Sequence, residues 1–100
     1  MFHPPSPPTD RVSAFFTRID AQLAATPDIG MRGVFLNGQI SRWERLNELL
    51  LRWASGELSG PNPVGNGATV WDVTQTLGGL YQRLTDVQQD ARNQIKEAAL

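Results

Sequence analysis

The chain of 100 residues contains no cysteine, which excludes a disulfide framework and any thiolate metal site. Its stability has to come from packing, either within the chain or shared with another one. There is one histidine, His3, set among prolines where nothing orients it as a base or a ligand. Without an internal histidine, the serines and threonines cannot form the usual nucleophile and base pair. No enzyme activity and no cofactor are therefore expected. Charge of one sign is also missing: nine Lys plus Arg stand against ten Asp plus Glu, a formal net charge of -1. The broad basic surface that phosphate backbones require is absent, so nucleic acid is not expected as a partner. No apolar run reaches the roughly 18 residues of a membrane span. The opening MFHPPSPPTDR lacks the cationic and apolar regions of a secretory leader. These two absences predict a cytoplasmic protein with no membrane partner.

Helical patterning fills most of the sequence. The first nine residues hold Pro4, Pro5, Pro7 and Pro8, which favour an extended polyproline II arm with no helix of its own. Residues 1–9 are read as a flexible Pro-rich arm, and 10–100 as a single helical domain. Pro4 with Pro7, and Pro5 with Pro8, have the spacing of PxxP ligands for aromatic grooves, a spacing that any terminal proline cluster also satisfies. Thr9 or Asp10 offers an N-cap, and Val12, Phe15, Phe16, Ile19 and Leu23 share one helical face. A first helix is predicted over about residues 10 to 25.

Thr26 with Pro27 resembles a second helix start, but Gly30, Gly33 and Gly38 follow closely. Asn37-Gly38 between apolar pairs also fits a hairpin turn. With no other strand in sight, residues 28–39 are read as a loop or an early helical turn. From Ile40 to Ser55 the pattern is helical, with apolar residues over a wide arc that suits a central helix containing Trp43 and Trp53 as core residues. Gly56 stands where a left-handed C-cap falls. The stretch Trp53-Ala-Ser-Gly56 resembles the Trp-x-Gly turn of small secreted helical-hairpin proteins, with a spacing one residue longer and a long loop in place of their tight turn. Membership of that group is not assigned. Residues 56–68, with four glycines and two prolines, are expected to be a mobile loop without regular structure.

Thr69 and Asp72 form an acidic variant of the capping box at the start of a third helix, predicted over 70–98. Val70, Val73, Leu77, Leu80, Leu84, Val87, Ala91 and Ala98 occupy a and d positions of a heptad pattern, with Ile95 beside the one interruption, Gln94. The fold predicted is all-α: a three-helix bundle or helical hairpin with a long C-terminal coiled-coil-like helix. At ~1.5 Å per residue, a partner helix over 40–55 covers roughly 24 Å of a seam roughly 44 Å long. Leu84, Val87, Ala91 and Ile95 are then left over for a homo-oligomeric contact.

Gly78 and Gly79 fall on the face opposite this seam, Gly78 one heptad after Trp71. Each costs about 1 kcal/mol relative to alanine in a helix interior. They mark either a contact groove beside Trp71 or a kink or break in the helix. The i,i+4 carboxylates Glu44 and Glu48, and Asp86 and Asp90, lack the Glu-x-x-His ligands of helical di-iron sites and read as solvated faces, so no metal is expected. VGNGAT before a helix lacks the preceding strand and following Lys of a phosphate loop. The function expected is a non-catalytic adaptor or assembly factor with a protein partner, self-associating through its helices. The alternative is a small inhibitor or regulator of an enzyme, binding through its arm or its Trp71 face.

Overall fold

A computed structural model of the chain describes residues 8–65 and 67–99. Three helices, α1 (Pro8–Ala24), α2 (Ile29–Ala54) and α3 (Val70–Ala99), make an all-α fold with no strand among the described residues. The helix α1 begins at Pro8, where the fixed φ of proline suits a first helical position. Thr9 and Asp10 therefore lie inside the helix and not at its cap, and residues 1–7, most of the predicted arm, lie outside the described residues.

The largest departure from the sequence reading is α2, which runs unbroken through residues 29–39 and so replaces the expected loop or turn. Its cap is Asp28, two residues later than the Thr26 start. The Asp28 backbone is extended (φ -77°, ψ 122°), and its Oδ1 accepts a hydrogen bond from the Met31 N–H at 2.9 Å. Three glycines together cost this segment about 3 kcal/mol of helix propensity. Leu36, fully buried, and Ile40, 5 % exposed, offset that cost by packing with Ile19, Leu80 and Val87 in the core. At its other end, α2 closes on a left-handed Gly56 (φ 86°), with Gly56 N–H donating to Trp53 O and Glu57 N–H to Arg52 O. This is the paired C-terminal arrangement that glycine permits, as the sequence indicated.

Loop 56–68 has no helix or strand among its described residues, and the four glycines in it, at 56, 60, 65 and 67, all have positive φ. The mobility expected of it is opposed by an internal scaffold. Asn62 Oδ1 accepts from the Val64 and Gly65 amides, its Nδ2 donates to Ala68 O, and the Trp53 indole donates to Gly60 O at 2.9 Å. The capping box at the start of α3 forms as read: Asp72 Oδ2 accepts from the Thr69 amide at 2.8 Å, and Thr69 Oγ1 accepts from the Asp72 amide at 3.2 Å.

The helices α2 and α3 form the main pair, α1 packs principally along α3, and Val73, Leu80 and Val87 of α3 are buried. At ~1.5 Å per residue, 26 residues of α2 span roughly 39 Å against roughly 45 Å for α3. The length mismatch on which the homo-oligomer expectation rested is thus nearly gone.

Candidate interaction surfaces

Phe16 and Gly79 make the junction between α1 and α3. A Cβ at residue 79 would overlap the Phe16 ring, so the absence of a side chain there is what lets α1 sit against α3. The Arg83 guanidinium lies over the other side of the contact, 4.0 Å from the Phe16 ring centroid, and donates to Gly79 O at 3.1 Å. It also grips Asp20 of α1 through two hydrogen bonds, Nε to Oδ1 at 2.6 Å and Nη2 to Oδ2 at 2.9 Å. Gly78, its neighbour, faces open space with nothing within 4 Å. The two glycines therefore do not share a groove, and α3 neither breaks nor ends at them.

Through this pair the Arg83 hydrogen bond, reinforced by its charge, holds the Asp20 carboxyl below its ordinary range despite opposing desolvation. A carboxylate whose pKa is lower folded than unfolded adds stability above the unfolded value, near 4, and loses it as pH falls through the folded value. The Asp20 side chain is 55 % exposed, so solvent screening confines the effect to the upper part of the surface range, about 1 kcal/mol. Between pH 5 and pH 2.5, the wild-type melting temperature should fall further than that of Asp20→Asn. Adding 1 M salt should narrow the gap; equal acid sensitivity of the two proteins would remove the ion pair from the account.

The other predicted site residues divide into two groups. Leu84 is half-buried against the core and Val87 belongs to it, while Ala91 is half-buried. Leu84 and Val87 are used within the chain, because α2 reaches further than the sequence pattern indicated. Trp71 at 46 % and Ile95 at 70 % are exposed. Of the arm prolines, Pro4, Pro5 and Pro7 lie outside the described residues, and Pro8 opens α1.

Other exposed side chains lie on the side of α3 next to that of Trp71 and on α2. Tyr81 is 47 % exposed and donates its hydroxyl to Glu44 Oε1 of α2 at 2.6 Å. That hydrogen bond, more than desolvation or the carboxylate charge, raises the Tyr81 pKa. Val70 lies three helical turns before Tyr81 on the same side of α3, and Leu51 lies two turns after Glu44 on α2. Both are exposed, Val70 at 38 % and Leu51 at 48 %. Val70, Tyr81 and Leu51 thus share the outer side of the α2–α3 pair, and Trp71 adjoins this apolar band about a quarter-turn round α3. No metal-ligand cluster of three or more His, Cys, Asp or Glu occurs among the described residues.

Compared with known proteins, the chain matches no family model, no curated protein and no solved structure. The functional reading rests on the geometry.

On the other side of α1 a cleft separates it from α2. Phe15 and Trp43 meet across it edge to face, ring centroids 5.2 Å apart. Two open hollows adjoin this aromatic bridge. One, of about 390 Å³, extends past Arg11 and Val12 to loop residues Val64 and Ala68 and to Asp72. The second, of about 380 Å³, extends past Ile19, Phe35 and Arg42; Arg18 lines both. Sequence reasoning passed over these arginines. The available signal was Arg11 and Arg18 one heptad apart on α1, without a carboxylate at i±3 or i±4 of either.

Proposed function

We propose that the chain is a non-catalytic interaction protein, an adaptor or assembly factor of the cytoplasm, that binds a protein partner through the α2–α3 band. The observation that carries this reading is the exposure of Leu51 on α2 and of Trp71 and Tyr81 on α3, each close to half accessible. Large aromatic side chains presented on a rigid helical surface are what the energetic centres of interfaces are made of. Such exposed apolar groupings are unusual on a surface that faces only water. No helix among the described residues is long and apolar enough to cross a membrane. A second copy of the chain remains a candidate partner through this band, in place of the seam now covered down to Val87. The enzyme-regulator alternative uses the same Trp71 face and differs in the identity of the partner.

Two substitutions, Leu51→Arg and Trp71→Ala, test the reading. Truncating a central tryptophan should weaken association by about 2 kcal/mol, roughly 30-fold in Kd. Light scattering of the purified chain at high micromolar concentration reports self-association, and crosslinked complexes from the native cytosol report other partners. Recovery of the same complexes, at the same mass and yield, with both variants would sink this reading.

A further inference from the structure

We propose that the cleft between α1 and α2 is a second docking groove, one that takes an acidic amphipathic helix from a partner protein. The proposal rests on the chain being an interaction protein and adds the site and the chemistry of one partner.

The groove exists because of the α1–α3 junction. Phe16 over Gly79, with Arg83 bound to Asp20, draws α1 onto α3. Its approach to α2 is made through side chains, Ile19 in the core shared with Leu36 and Ile40 and Phe15 edge-on to Trp43, and apolar surface is left open beside the Phe15–Trp43 bridge. Val12 and Phe15 of α1 and Phe35 and Trp43 of α2 supply the apolar lining.

Charge decides what this floor accepts. Arg11, Arg18 and Arg42 line the two hollows. The ion pairs among the described residues are Arg52 with Glu57 and Arg83 with Asp20, so these three guanidiniums have no carboxylate partner there. Nor does any of them donate a side-chain hydrogen bond among those residues, whereas Arg83 donates three. The one carboxylate in the lining, Asp72, is 5 % exposed; Thr69 engages its Oδ2, and its Oδ1 is buried with no hydrogen-bond partner among the described residues. Three cations around an apolar floor, against one buried anion, form an electropositive rim on a chain whose net charge is -1. Carboxylates complement that rim with bidentate geometry.

Spacing favours a helix. Arg11 and Arg18 are seven residues apart on α1, roughly 10.5 Å along its axis, and carboxylates at i and i+7 of a second helix repeat that distance. Apolar residues between them, on the same face, would enter the hollows at either side of the Phe15–Trp43 bridge. The occupant would complete a four-helix arrangement in helix-in-groove fashion.

The test selects 16-residue peptides on the intact protein from a display library built on a helix-favouring scaffold with random surface positions. The expected binders carry Asp or Glu seven residues apart with large apolar residues between them. Their affinity, measured by fluorescence anisotropy, should fall at least about tenfold in the triple variant Arg11→Glu, Arg18→Glu, Arg42→Glu and on raising salt from 50 to 500 mM. The triple variant to glutamine should show a smaller loss, and circular dichroism confirms that each variant remains helical. Failure to recover binders, selection of neutral or basic peptides, or affinity indifferent to charge reversal would overturn the proposal. Tighter binding of a single-stranded oligonucleotide than of any selected peptide would overturn it in favour of nucleic acid. A dimer of the free chain that dissolves on charge reversal would assign the groove to a second copy and overturn it likewise. Leu51→Arg and Trp71→Ala should leave peptide affinity unchanged, so failure of the outer band and failure of this groove are read separately.

Discussion

Replacing Leu36 with alanine should lower the unfolding free energy by about 2–5 kcal/mol, a large part of what a domain of this size possesses. Leu36 is fully buried among Ile19, Ile40, Leu80 and Val87, so it joins all three helices at one point. It also supports the first half of α2, where Gly30, Gly33 and Gly38 weaken the intrinsic helix. Two effects should therefore appear together. The denaturant midpoint should fall, and amides 31–38 should exchange hydrogen much faster than those of 44–52. A loss below about 1 kcal/mol, with uniform exchange along α2, would mean that local propensity and the Asp28 cap hold this segment without the core.

That dependence explains why the sequence of this segment, taken locally, points to a loop or turn. Its local signals favour a turn: Asn37-Gly38, three glycines in nine residues, and a Thr-Pro start that proved to lie before the true cap. The decisive contacts come from Leu80 and Val87, more than forty residues away, and propensity does not contain them. Where the controlling interactions were local, the structure follows the sequence closely. Thr69 with Asp72 caps α3, and Gly56 ends α2, because each needs residues no more than five apart. The heptads of α3 also located its buried side, with Val73, Leu80 and Val87 facing inward. They could not show that a third helix occupies a different side of α3. A seam described by two faces, in and out, has no place for α1 resting on Gly79. The arginines of the groove were missed for a related reason: Arg42 joins Arg11 and Arg18 only when α1 and α2 are set beside each other.

Gly78 and Gly79 should respond to the same substitution with opposite sign. At Gly78 an added methyl group meets nothing within 4 Å, and alanine should raise stability by up to about 1 kcal/mol through helix propensity. At Gly79 the same gain is opposed by overlap with the Phe16 ring. The ring is hemmed in by Phe15, edge to face at 5.1 Å, and by the Arg83 guanidinium. Overpacking of this kind costs about 1–3 kcal/mol, so Gly79→Ala should be neutral to destabilising by about 2 kcal/mol once propensity is counted. Valine at residue 79 should do more, by pushing Phe16 out and loosening α1, while α2 and α3 remain paired. The overlap explanation requires strong coupling between the two positions. Phe16→Leu alone should cost stability, yet in its presence Gly79→Ala should become stabilising, because a smaller side chain leaves room for the methyl group. Chemical denaturation of the four proteins of that cycle measures the coupling. If Gly79→Ala stabilises as much as Gly78→Ala, and Phe16→Leu does not alter its effect, the close approach of α1 to α3 at Gly79 is not what keeps a glycine there.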